Sequence, residues 1–212
     1  EISACLVGSE MCIRDRDKMG AKHAGAMDIS AGCSGYIYAV ACASNMVKAG
    51  MYDNVLVIGA EILSRLVDWQ DRSTCILFGD GAGAAVIGQV DEGYGLLASE
   101  LGSDGSLGKI LNIPASGVAE PVTHRAIDSK RIYIHMEGSE VFKAAVRHMG
   151  QTTLSTLEKA GITKEDINMF IAHQANDRII QSLAKKLSIP SDRMYVNVDR
   201  YGNTSAASVG IA

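Results

Sequence analysis

The chain has 212 residues, 47% hydrophobic and 21% charged, with a formal net charge of -4. That balance suits a globular domain with a sizeable core and gives no general signal for nucleic-acid binding. No apolar run is long enough to span a bilayer, so no membrane partner is expected.

In chain order, strand-like runs fall at Ala26–Ile29, Asn54–Ile58, Cys75–Phe78, Ala84–Ile87, Leu96–Leu101, Asn168–Ala172 and Met194–Val198. Helical periodicity covers Ser34–Ala49, Gly138–Ala160, Arg178–Leu187 and the stretch from Thr204 onward. Alternation of this kind predicts an α/β fold with sheets covered by helices. On the first helix Ile37, Val40, Ala41 and Val47 share a face with Ser44, and Lys48 followed by Gly50 marks its end. On the long helix Val141, Phe142, Ala145, Met149 and Leu157 form a stripe expected in the core. Thr163-Lys164-Glu165-Asp166 reads as a capping box opening a short turn. The segment 102–131 has turn chemistry without periodicity and is expected to be loop. Gly79-Asp80-Gly81-Ala82-Gly83-Ala84-Ala85 has the look of a phosphate loop but lacks its Lys-Ser/Thr. Its glycines are read instead as allowing close packing between layers.

Cysteines at 5, 12, 33, 42 and 75 form no CxxC pair and no Cys/His metal spacing, so neither a metal nor a disulfide framework is expected. Without a signal-peptide pattern the thiols read as free in the cytoplasm. Cys42 and Cys75 read as packing residues. Cys33 differs because a strand runs through Ser30-Ala31-Gly32 into it and a helix follows. A thiol there meets the positive end of the helix, which favours thiolate, although a lone cysteine is more often a buried packing residue. His173 ends a buried strand, and Asn203 lies in the turn Tyr201-Gly202-Asn203-Thr204. Singly, they read as a satisfied histidine and a turn residue or cap. Together, Cys33, His173 and Asn203 suit acyl-thioester chemistry, with thiolate as nucleophile and the other two as donors to developing charge.

Three segments carry a more specific reading: Asp28-Ile29-Ser30-Ala31-Gly32-Cys33-Ser34-Gly35, Phe78-Gly79-Asp80-Gly81-Ala82-Gly83-Ala84, and His173-Gln174-Ala175-Asn176 with Tyr201-Gly202-Asn203-Thr204-Ser205-Ala206-Ala207-Ser208. Asp68-Trp69-Gln70-Asp71-Arg72 and Gly138-Ser139-Glu140-Val141-Phe142-Lys143 also match. From about Asp17 onward the chain resembles the β-ketoacyl-acyl-carrier-protein synthase III family, the initiating condensing enzymes of type II fatty-acid synthesis.

The resemblance implies a thiolase-like fold of two similar halves, residues 17–94 carrying Cys33 and residues 95–212 carrying His173 and Asn203. It implies loading of a short acyl group from acyl-CoA onto Cys33, then decarboxylative condensation with malonyl-acyl-carrier protein. His173 and Asn203 match the pair that binds the malonyl thioester oxygen. Arg72 matches an arginine holding the nucleotide part of coenzyme A, and Gly138 falls near the pantetheine channel. Gln174, Ala175, Asn176, Asp177 and Arg178 match the carrier-protein contact, with Lys185 and Lys186 beside it. No cofactor is implied, since coenzyme A is a substrate carrier, and a homodimer is expected.

Relative to the family the chain is shorter at both ends and is expected to be a fragment. Residues 8–16 have no counterpart in the family and are read as a sequence-assembly artefact. A specialised condensing enzyme of polyketide or other secondary metabolism is the alternative reading. A thiolase lacks support because no second catalytic cysteine is evident, and a non-catalytic scaffold would be expected to have lost the nucleophile.

Overall fold

The computed structural model describes residues 2–7, as backbone, and residues 16–212. Residues 8–15 of the segment read as artefactual lie outside the described residues. Arg16, its last member, donates from Nη1 to the Ala24 carbonyl at 3.0 Å.

Four strands form the main sheet: β1 (Ile2–Val7), β2 (Ala26–Asp28), β3 (Asn54–Glu61) and β4 (Gly81–Gly88), in the order β2-β1-β3-β4. β1 pairs in parallel with both β2 and β3, and β4 returns antiparallel on β3 with Gly59 opposite Gly83 and Glu61 opposite Gly81. The sequence pattern does not reveal β1. It also shortens β3 and β4, whose glycine-rich ends carry no alternation to read.

Helix α1 (Gly35–Lys48) covers this sheet. Its buried stripe is Tyr36, Ala39, Ala43 and Val47, packed with Val55, Val57 and Ala206. The stripe expected from periodicity lies partly elsewhere: Ile37 is exposed, and with Val40 and Ala41 it forms a cavity wall. The helix stops where expected, with Gly50 at φ 69 and its amide bonded to the Val47 carbonyl.

In the expected loop, three short elements form: a 3-10 turn (Gly105–Leu107), β5 (Leu111–Asn112) and α2 (His124–Asp128), the last capped by the Thr123 hydroxyl, which accepts from the Ala126 amide. β5 pairs with β6 (His135–Met136). Helix α3 (Gly138–Ala160) has the expected bounds, but of its residues only Gly150 is fully buried. Met149 and Leu157 face the same cavity as α1, so one side of that stripe is wall rather than core. Asp166 closes the predicted capping box, accepting from the Thr163 amide and hydroxyl, each at 2.9 Å. Helix α4 (Asp177–Leu187) buries Ile179, Ile180, Leu183, Ala184 and Leu187. Helices α5 (Val198–Tyr201) and α6 (Ala207–Ile211) follow.

Four expected strands do not form as ladders. Residues 75–77 are turn, leaving Phe78 in a single parallel bridge to Asn203. Residues 168–172 and 194–198 meet only at Phe170 and Met194, with Phe170 N donating to Arg193 O at 2.7 Å and Tyr195 N to Phe170 O at 3.0 Å. Leu96–Leu101 is extended without a strand partner among the described residues. Apolar composition alone does not make a strand: several of these side chains are exposed, Leu97 and Ile76 among them, and a ladder needs a neighbour whose amides are in register. The helix expected from Thr204 begins at Ala207, because residues 203–206 form a buried turn with Ser205 at φ 48. Among the described residues, no helix is long and apolar enough to cross a membrane.

The glycines of β3 and β4 allow the close packing that the sequence leads one to expect. A Cβ on Gly83 would lie 2.3 Å from the Gly210 carbonyl carbon, and one on Gly79 would lie 2.1 Å from the Tyr201 carbonyl oxygen. The chain from Tyr201 to Ile211 therefore rests directly on backbone. Gly83→Ala is expected to cost about 1–3 kcal/mol, because the obstructing atoms are backbone and cannot rotate aside. Gly102→Ala, where a Cβ meets nothing within 4 Å, should change stability little; urea unfolding of the two variants measures the contrast.

Candidate active site

Cys33 sits in a single 3-10 turn, Gly32–Ser34, between β2 and α1. This is the strand–turn–helix junction read from the sequence. Its expected electrostatics are overturned: burial pushes the Cys33 thiol up, and the nearby Glu61 carboxylate pushes it the same way. The Ser205 hydroxyl and the backbone N–H of Cys33 itself pull down by less, so desolvation prevails and the resting sulfur is a thiol.

His173 projects from the end of the 168–172 run, half-buried, toward the same space. A cavity of ≈ 670 Å³ is lined by both Cys33 and His173, together with Tyr36, Val40, Leu157 and Phe170. The His173 Nδ1 lies 2.6 Å from the Ser208 hydroxyl, which also accepts from the Gln174 amide at 3.4 Å. When the Ser208 hydroxyl donates to Nδ1, the neutral ring carries its own proton on Nε2. Burial lowers the His173 pKa to about 4, so near neutrality the ring is an uncharged donor.

Asn203 is buried and held twice by backbone, its amide donating to Leu77 O at 2.8 Å and its carbonyl accepting from Gly79 N at 2.9 Å. Its Oδ1 accepts from the Ser205 amide at 2.9 Å, which leaves the Nδ2 hydrogens as what the side chain can offer a substrate. Ser205 in turn places its hydroxyl 3.5 Å from the Cys33 sulfur. The turn 203–208 thereby connects all three predicted residues, which lie 170 positions apart from first to last in sequence order (203 - 33).

The other predicted contacts spread out. Gln174 is fully buried and does not face the surface, which corrects its assignment to a carrier-protein contact. Its Nε2 donates to Ala172 O at 2.9 Å and Tyr195 O at 3.2 Å, and its Oε1 accepts from Asn197 N at 2.8 Å. Ala175 is partly buried, and Asn176 caps α4 by accepting from Ile179 N at 2.9 Å. Asp177 and Arg178 are exposed at the start of that helix. Arg72 is exposed in the turn after Trp69. Gly138 is exposed at the start of α3, where a Cβ would meet only the Met136 methyl at 3.9 Å. Sequence reasoning does not single out Glu61, Ser205 or Ser208 as functional. Ser205 and Ser208 stand inside the Asn203 motif, and Glu61 has no signal beyond ending a strand.

The chain matches two family models, 3-oxoacyl-(acyl-carrier-protein) synthase III over residues 27–105 and the C-terminal part of the same synthase over residues 157–212. It is 53% identical over 210 residues to a beta-ketoacyl-(acyl-carrier-protein) synthase III from Caldanaerobacter subterraneus, covering 99% of this chain and 61% of that protein. The chain belongs to the synthase III family. The crystal structure of the synthase III from Aquifex aeolicus superposes with a TM-score of 0.87 at 43% identity, over 99% of this chain and 65% of that one. The priming beta-ketosynthase of a polyketide pathway superposes at 0.83 with 31% identity, over 100% of this chain and 64% of that one. The fold is thus the mixed α/β, thiolase-like fold of these synthases, and the chain spans about three fifths of the length of the relatives it matches.

The depressed His173 pKa has a consequence for stability with a defined sign. The unfolded imidazole binds its proton near 6.5 and the folded one only at about 4. Between those values the unfolded state holds more protons, so His173 makes stability fall as the pH drops through this window. Thermal unfolding followed from neutrality down to about pH 4 should decline less steeply in His173→Gln than in the parent. Equal slopes would contradict the neutral burial of His173.

Proposed function

We propose that the protein of which this sequence is part is a condensing acyltransferase that starts fatty-acid chains. The observation that carries the proposal is the meeting of Cys33 and His173 on one cavity, with Asn203 tied to the Cys33 sulfur through Ser205. In the first stage the Cys33 sulfur attacks the thioester carbon of a short acyl-CoA, a sulfur–carbon bond forms, and coenzyme A leaves as its thiol. In the second stage malonyl-acyl-carrier protein enters. The Nε2–H of His173 and the Nδ2–H of Asn203 donate to its thioester oxygen and stabilise the enolate left when CO2 departs. The enolate carbon attacks the acyl-Cys33 carbonyl, the carbon–sulfur bond breaks with its electron pair on the Cys33 sulfur, which takes a proton from solvent, and 3-oxoacyl-carrier protein results. An uncharged His173 suits this role, since a neutral donor stabilises an oxyanion without surrendering its proton.

Arg72, on an exposed turn, is proposed to hold the nucleotide part of coenzyme A, and Gly138 to lie by the pantetheine channel. Arg178, with Lys185 and Lys186 on the same helix, would draw an acidic carrier protein by charge, with Ala175, Asn176 and Asp177 at its edge. The chemistry needs no metal or redox cofactor. A cytoplasmic homodimer built from two thiolase-like halves per chain completes the reading. The greater identity to the synthase III of Aquifex aeolicus than to the polyketide priming enzyme favours fatty-acid initiation over secondary metabolism.

Intact-mass measurement after incubation of the full-length protein with a panel of short acyl-CoAs tests this directly. One acyl increment is expected on the parent and none on Cys33→Ala; a folded parent that gains none from any donor would refute the proposal. Ser208→Ala frees the His173 tautomer and should slow condensation roughly tenfold to a hundredfold while acyl-Cys33 still forms, with steady-state condensation and single-turnover loading as the two readouts.

A further inference from the structure

Lys130 holds a backbone conformation that its residue type does not favour. It lies just beyond the end of α2 at φ 57, where its amide donates to the Ile127 carbonyl at 2.9 Å and the Arg131 amide to the Ala126 carbonyl at 2.9 Å. Glycine or asparagine ordinarily stands at this place after a helix, because a Cβ makes the left-handed conformation costly. The Lys130 side chain reaches far from there. Its Nζ donates to Asp68 Oδ2 at 2.6 Å and to Gln70 Oε1 at 2.8 Å, partners 62 and 60 positions away in sequence.

Those two partners flank Trp69 and open the turn that carries Arg72. The turn is also closed from within. Asp68 Oδ1 accepts from the Gln70 amide at 2.9 Å, and the Asp68 carbonyl accepts from the Asp71 amide at 2.9 Å. Trp69 Nε1 donates to the Ser64 carbonyl at 3.2 Å. The Asp71 carboxylate accepts from the Ser73 and Thr74 hydroxyls at 2.6 and 2.8 Å. Among the described residues no carboxylate pairs with the Arg72 guanidinium, although Asp68 and Asp71 stand in the same turn. Lys130 occupies the first of these carboxylates and hydroxyls the second, which leaves Arg72 open to an external anion. The hydrogen bond from Lys130 holds the Asp68 carboxyl below the usual carboxylate range, so Asp68 is charged at neutral pH and needs a cation beside it if a phosphate is to approach.

We propose that Lys130 is a positioning residue for the nucleotide part of acyl-CoA, pinning the turn 68–72 and neutralising Asp68 so that Arg72 meets the phosphates from a fixed backbone, an inference that rests on the role proposed above for Arg72. Lys130 acts through the turn and touches no substrate. Stability alone does not account for a lysine here. An ion pair near the surface adds little, and this one joins a Lys130 side chain that is 48% exposed to an Asp68 side chain that is 15% exposed. Against that small gain stands the cost of a positive φ without glycine. Placement of the turn explains both features. Removing the lysine would free the Asp68 carboxylate to swing toward Arg72, and would leave two carboxylates beside a single guanidinium, the wrong balance of charge for a phosphate.

Loading of the full-length protein from acetyl-CoA, followed by rapid quench and intact mass over a series of concentrations, separates the half-saturating concentration from the limiting rate. Lys130→Met is expected to raise the half-saturating concentration roughly five- to tenfold while the limiting rate stays within about twofold of the parent. Lys130→Arg should recover most of the loss. Lys130→Gly relieves the positive φ, so it should melt at or above the parent temperature and yet load like Lys130→Met; a role confined to the helix end predicts the reverse. Acetyl-pantetheine has the thioester and no nucleotide, and should load the parent and all three variants at equal rates. A half-saturating concentration at the parent value in Lys130→Met and Lys130→Gly overturns the proposal, as does equal slowing with acetyl-pantetheine. Arg72→Ala separates this failure from that of the role beneath it. If Arg72→Ala raises the half-saturating concentration and the Lys130 variants do not, the role of Lys130 alone falls. If Arg72→Ala leaves it unchanged, the nucleotide contact falls and the role of Lys130 with it.

Discussion

Direct backbone-on-backbone contact between the 201–211 segment and the glycines of the sheet edge positions everything else in the site. Side chains at Gly59, Gly79 or Gly83 would meet carbonyl groups of Ala206, Tyr201 or Gly210 at 2.8 Å or less. With hydrogen there instead, the segment sinks onto β3 and β4, and its own short side chains come level with those of the first half of the chain. Ser205 then reaches Cys33, and Ser208 reaches His173. A methyl group in that seam would separate groups that must stay within hydrogen-bonding distance, so the glycine pattern is a condition of the chemistry as well as of the packing.

The same depth of packing sets the electrostatics. Desolvation dominates at both titratable ends of the cavity, raising the Cys33 thiol and lowering the His173 imidazolium. The resting site therefore carries neutral partners. Under the proposed function this arrangement is unfavourable for the thiol nucleophile and favourable for the donors to the enolate, because dipoles aimed at a developing charge act more strongly where water is excluded. The sulfur meets the Ser205 hydroxyl at 3.5 Å, apart from the groups that His173 and Asn203 hold.

Sequence periodicity locates the helices well, because a buried stripe recurs wherever a helix packs. The bounds of α3 and the capping box after it follow from local chemistry alone. Periodicity does not tell a core face from a cavity face: Ile37 and Leu157 are as apolar as a core requires, and they line open space. Strands are less legible. Residues 168–172 and 194–198 have the composition of strands, yet pairing depends on a neighbour that no local pattern describes. Cys33, His173 and Asn203 are legible because each stands at a break in an apolar run. Glu61 closes β3 without any such break, and only the fold shows what lies across from it.

The segment 172–178 shows how a single motif can hold several separate duties. A tight turn closes at Gln174, where the Ala175 amide donates to the His173 carbonyl at 2.9 Å, and Ala172 and Gln174 are buried while His173 lines the cavity. Asn176 spends its side chain on a helix cap, and Asp177 and Arg178 emerge on the surface. A motif read as one binding surface is thus a section through the molecule, from core to solvent. Gln174 is its structural centre. With three hydrogen bonds, to Ala172, Tyr195 and Asn197, it ties the run that ends in His173 to the run that leads toward Asn203. Replacing it with an apolar residue would strand three buried backbone groups, each costing about 1–3 kcal/mol. The runs that carry His173 and Asn203 would then lose their shared support, so a residue that does not line the cavity holds those two side chains in register.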